Sequence, residues 1–126
     1  MKELILWGYI VNAVLLINHE IDSAYWREWN LFNLKFMNGI SSFLIIHFPV
    51  LFIILAGAVL LDRGTAAGYY FSFILCAGGI FAFLFHTWHL RKGRPEFNSL
   101  ISKIILYLIL FFSLLQAVLT TMVVYS

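Results

Sequence analysis

Charge is what this sequence has least of. Of its 126 residues only 11% are charged, against roughly 25% in a soluble domain. A chain this short cannot cover its apolar residues with a water-compatible surface, so a soluble globular domain is excluded. Cysteine is nearly absent. Cys76 stands alone in an apolar run, forms no intrachain disulfide, gives no compartment signal and is read as a small buried packing residue. Period-two alternation of polar and apolar residues is missing too. The run at 44–61 is almost continuously apolar, which rules out the strands of a membrane barrel. Repeats, low-complexity runs and a second domain are likewise lacking. The net charge is only +2, with the basic residues confined to short connections, so nucleic acid is excluded as a partner.

Hydrophobic residues make up 63% of the chain and aromatics 18%, and the mean hydropathy is +0.94. In lipid every backbone polar group must be satisfied internally, so runs of this length are helices. A spanning helix needs about 20 apolar residues. Four segments answer to that, at 4–20, 41–61, 66–89 and 100–125. The predicted fold is an all-α integral membrane four-helix bundle, one domain over 1–126. The first span has no small-residue cleavage site after it, and Asn18, His19, Glu20 and Asp22 follow instead, as suits a retained helix and not a signal peptide. Between spans one and two, Trp26, Trp29, Phe32 and Phe36 interleave with Arg27, Glu28 and Lys35. That mixture predicts an interfacial helix over 21–40. Asp62-Arg63-Gly64-Thr65 reads as a tight turn. Arg91-Lys92-Gly93-Arg94-Pro95-Glu96 reads as a basic turn, with Pro95 leading into the last helix.

Threading four spans puts Lys2 and Arg63 on one membrane side. Arg27, Lys35, Arg91, Lys92, Arg94 and Lys103 fall on the other. The positive-inside rule assigns the second side to the cytoplasm, in a multi-pass inner-membrane protein with both termini outside. Small residues at Ala56-Gly57-Ala58 and Ala77-Gly78-Gly79 are expected at helix contacts. Ser102, Ser113, Gln116 and Thr120 share one face of the last helix, which should point into the bundle.

The four histidines fall at one membrane level. His19 ends the first span, His47 lies two turns into the second (roughly 9 Å at 1.5 Å per residue), and His86 and His89 close the third. Antiparallel threading gathers them near the cytoplasmic side, with Glu20 and Asp22 beside them. His86 and His89 share a helix face, as do His19 and Asp22. Asn12 lies on the His19 face as well. Pro49 frees the carbonyl of Ile45 and can bend the helix next to His47. One histidine at a helix end, such as His19 or His89, is by itself a polar cap. His47 sits inside an apolar run, where ionisable groups are costly and face the interior or a wet cavity. Asp22, Arg27 and Glu28 also read as interfacial groups pairing with one another, and Glu96 as a first-turn helix charge. Histidines converging from three helices instead favour a metal site, with ligands His19, His47, His86 and His89. The donor set suits zinc first and non-haem iron second.

The order His19-Glu20-Ile21-Asp22, Glu28-Trp29, His47-Phe48-Pro49, His86-Thr87-Trp88-His89 and Glu96-Phe97 resembles a family of small bacterial four-helix membrane proteins classed as a domain of unknown function. The resemblance runs from about Trp7 to about Leu110. It implies the same four-helix fold and polar residues acting as a set, and it implies no activity. A looser similarity, limited to histidines gathered from separate helices, is to larger integral-membrane zinc hydrolases of ceramides and related lipids.

The expectation is therefore a zinc-dependent intramembrane hydrolase of a lipid or other amphiphile, with Glu20 or Asp22 as general base. Adjacent residues on a helix point about 100° apart, so His19 and Glu20 can both face the site only if the helix frays there. The alternatives are a di-iron carboxylate/histidine oxidoreductase and a non-enzymatic metal- or haem-binding membrane protein. Oligomeric state is not legible.

Overall fold

A computed structural model describes residues 1–33, 35–36 and 38–126. It contains α1 (Lys2–Tyr25), α2 (Trp29–Phe32), α3 (Ile40–Asp62), α4 (Ala66–Arg91) and α5 (Leu100–Val124). Among the described residues there is no strand. The helices α1, α3, α4 and α5 are each long and apolar enough to cross a membrane, which gives the four-helix bundle expected. The first span is longer than the sequence suggested, because α1 continues through Asp22 to Tyr25. The interfacial helix is correspondingly shorter. Among the described residues between α1 and α3 the helix is α2, a single turn, and the parts of that expectation at Leu34 and Met37 lie outside the described residues.

Three helix ends close in the same way. After α3, the Gly64 N–H bonds the Leu61 carbonyl and the Thr65 N–H the Leu60 carbonyl. After α4, Gly93 bonds Leu90 and Arg94 bonds His89. After α1, Arg27 bonds Ala24 and Glu28 bonds Ser23. This is the Schellman arrangement, which places one residue in the left-handed region. Gly64 and Gly93 do so at φ 67° and 79°, and Arg27 at φ 53°. A side-chain-bearing residue there costs about 1–2 kcal/mol. Thr65 and Ser99 accept from the N–H of Gly68 and Ser102 and so cap α4 and α5.

In the bundle α1 and α4 each touch both α3 and α5. Close approach depends on glycine at three places. A Cβ on Gly68 would strike the Leu61 backbone, on Gly57 the Tyr9 ring and hydroxyl, and on Gly79 the Ser113 side chain. Gly78 departs from the packing expected of it, since a Cβ there would meet nothing within 4 Å. Pro49 leaves α3 unbroken.

The polar face of α5 does point inward. Gln116 donates to Ser72 Oγ (2.8 Å) and accepts from Asn12 Nδ2 (2.9 Å), Asn12 also reaches Ser113 (3.1 Å), and Ser72 pairs with Thr120 (2.7 Å). Each such bond is worth about 0.6 kcal/mol inside a membrane. Together they tie α1, α4 and α5 at mid-depth. The helix α3 takes no part. It buries Ile54, Gly57 and Leu61 near one end and Phe43 near the other, and none of the residues between. That uncovered stretch borders a cavity.

Candidate metal centre

The cavity lies between α1, α3 and α4 and has a volume of about 410 Å³. Its polar groups sit at one end: His19 and Glu20 from α1, Glu28 from the turn after it, His47 from α3 and His86 from α4. The structure thus brings together three of the four histidines expected as ligands, with Glu20. Both His19 and Glu20 border the cavity without fraying of α1, which runs on for five residues beyond Glu20.

Glu28 is the residue the sequence reading left at the interface. The Schellman turn at Arg27 folds the chain back over the end of α1, and Glu28 is buried with Oε1 3.0 Å from His86 Nε2. Burial acts to raise the carboxyl's pKa. The hydrogen bond and positive character of His86, with that of His19, outweigh it and hold Glu28 below the usual carboxylate range. It is therefore ionised at neutral pH and available to a cation.

Beside Glu28, His47 Nε2 lies 2.6 Å from Glu20 Oε2, and its Nδ1 is 2.7 Å from the Phe43 carbonyl. A carbonyl can only accept, so Nδ1 carries the proton of that ring. The Nε2 lone pair then faces a carboxylate, a contact that a cation, either a proton or a metal ion, must mediate. Two donor groups result. His19, Glu28 and His86 form one and Glu20, Glu28 and His47 the other, each with three ligand atoms within 4.8 Å of one another. Zinc ligands stand about 2.0–2.2 Å from the ion, so side-chain shifts of about an ångström would close either group.

The rings of His19 and His86 meet edge-on at 4.7 Å, and Phe97 covers both, at 5.3 and 4.0 Å. Phe97 is fully buried at φ 65°, an outlier for a bulky residue that its position over the two rings holds in place. Nδ1 of both histidines is buried without a hydrogen-bond partner, as is Oδ2 of Asp22. Buried polar atoms are nearly always satisfied, and at this cluster a metal ion is one way to satisfy them. Asp22 belongs to neither donor group. His89 does not join the others. Its ring packs edge-on against Phe85 and Trp88, and it lies outside both groups and the cavity wall. Glu96 lies four residues before α5 and binds Arg94 through both oxygens (3.2 and 2.9 Å), so it is not a first-turn charge.

A four-helix membrane protein with a buried histidine–glutamate cluster at one end of the bundle is the class these features define. The sequence matches the Family of unknown function (DUF6713) over residues 5–123, and the chain belongs to that family. No curated protein and no solved structure matches it.

Proposed function

We propose that the protein is a membrane-embedded metal-dependent hydrolase, with zinc the best-suited ion, acting on a lipid or other amphiphile. The observation that carries this reading is the His19–Glu28–His86 group at the polar end of an otherwise apolar cavity. Two histidines and one glutamate are a donor set of catalytic zinc sites, which keep a fourth position open. Zinc held there would polarise a carbonyl and lower the pKa of a bound water towards ~7. Glu20 lines the cavity with a carboxylate oxygen within 4.8 Å of Glu28 and serves as proton acceptor. His47, anchored on the Phe43 carbonyl, fixes the Glu20 carboxylate. The basic residues on the histidine side, six against two, support an inner-membrane protein with this end in the cytoplasm.

Element analysis of protein purified without a histidine tag tests the reading. About one zinc per chain is expected, and metal-free protein overturns it. A second reading is favoured by one observation: Glu28 belongs to both donor groups. A carboxylate shared in this way suits two ions some 3.5–4 Å apart, and with iron it would make a di-iron oxidoreductase. Two irons per chain and a visible absorbance that changes on reduction would replace zinc hydrolysis with that chemistry.

A further inference from the structure

Apart from the Tyr9 hydroxyl, the cavity wall is polar at the histidine end and apolar beyond it. From there it runs past Leu16 and Leu75 to Tyr9, whose hydroxyl donates to the Ile54 carbonyl (2.8 Å) and ties α1 to α3 at the far end. His19 and Tyr9 are ten residues apart on α1, so the apolar length is roughly 15 Å at 1.5 Å per residue. The mouth is also defined. Ile53 on α3 and Ile74 and Phe81 on α4 line the cavity and are 43%, 58% and 58% exposed on the bundle's outer surface. In a membrane that surface meets lipid tails. The opening therefore lies between α3 and α4 and faces sideways into the bilayer.

Gly78 stands in this mouth. Glycine inside a helix is unfavourable by about 1 kcal/mol relative to alanine. Close packing explains the helical glycines 57, 68 and 79, but not Gly8 or Gly78, beside which there is open space; of these two, Gly78 lines the cavity and Gly8 does not. A side chain at Gly78 would project into the mouth.

We infer that the slot between α3 and α4 is a lateral portal for a single-chain amphiphile, whose one hydrocarbon tail lies along the apolar wall with its polar head at His19, Glu28 and His86. A volume of about 410 Å³ matches a ligand of drug-like size and leaves no room for a two-tailed phospholipid. The headgroup assignment rests on the metal-centre reading above. The tail and the portal rest on the wall and on Gly78.

Full-length protein in phosphatidylcholine nanodiscs, irradiated with palmitate carrying a mid-chain diazirine, tests the portal. Adducts should concentrate on Leu16, Ile54, Leu75 and Ala82, which line the cavity and are buried from the surrounding bilayer. They should be lost in Gly78→Leu, whose Cβ meets no heavy atom within 4 Å and whose metal content should equal the wild type. A phosphatidylcholine bearing the same photoreactive chain should leave these residues unlabelled. Adducts spread over the lipid-facing sides of α1 and α5, undiminished labelling of Gly78→Leu, or equal labelling by the two-tailed lipid would each overturn the portal. Portal labelling in a metal-free protein would sink the hydrolase reading and leave the portal standing, whereas scattered adducts on a zinc-loaded protein would do the reverse.

Discussion

Glu28 Oε1 and His86 Nε2 stand 3.0 Å apart, both buried, and so tie the turn that follows α1 to the cytoplasm-facing end proposed for α4. Glu28→Gln keeps the size of the side chain and removes its charge. It is expected to weaken zinc binding more than tenfold, about 1.4 kcal/mol or more, measured by competition with a chromophoric chelator. Glu28→Ala also leaves His86 without its partner, which adds about 1–3 kcal/mol of destabilisation, visible as a lower melting temperature in detergent.

The histidines should separate into two groups. His19→Ala and His86→Ala, with both rings fully buried at the cluster, should each remove most of the metal from an expressed bundle. His47→Ala should do the same if a cation bridges its Nε2 to Glu20. His89→Ala removes a ring that packs on Phe85 and Trp88 away from the donors, and its metal content should equal the wild type. Equal zinc in all four variants would place the metal elsewhere.

Glycines give a test that is independent of metal. Gly68→Ala drives a Cβ into the Leu61 backbone and should destabilise by about 1–3 kcal/mol through overpacking. Gly78→Ala meets open space and should stabilise α4 by up to about 1 kcal/mol. Thermal unfolding of the two variants in one detergent compares them directly. The same loss in both would mean that α4 packs differently.

Much of this was legible in the sequence because membrane helices announce themselves by long apolar runs, and because Gly64 and Gly93 mark the ends of α3 and α4. The third such turn was hidden. Arg27 occupies the left-handed position that glycine marks elsewhere, so nothing in the local sequence ended α1 at Tyr25 or turned Glu28 inward. Phe97 is similar, a buried aromatic in a left-handed conformation that no pattern predicts. Periodicity brought His19, His47 and His86 together correctly, since threading alone sets their depth. It also brought His89, because a spacing of three defines a shared face but not which neighbour that face meets.

Topology can be read with a reporter. The excess of basic residues on the histidine side predicts that a reporter active only in the cytoplasm stays silent when fused after Ser126. An active fusion would invert the bundle in the membrane and leave the histidine cluster intact, since the cluster depends on threading and not on orientation.

Glu20 decides between catalysis and simple metal storage. A hydrolase needs an acceptor for the proton of the attacking water, and a carboxylate within hydrogen-bond reach supplies it. Asp22 lies outside the cavity wall and Glu96 is held by Arg94. Glu28 is engaged with His86. Glu20 remains, lining the cavity with its Oε2 fixed by His47. Glu20→Gln preserves size and hydrogen bonding but cannot take up a proton. Zinc content should stay at the wild-type level. Turnover of a single-chain ester or amide should fall by about 10²–10⁴-fold, the usual contribution of a general base. If Glu20→Gln instead empties half of a two-ion site, Glu20 is a ligand together with His47 and Glu28, and the carboxylate-bridged iron centre becomes the better account. If neither metal nor turnover changes, Glu20 only anchors His47, and Asp22, with its unpartnered Oδ2, becomes the residue to substitute next.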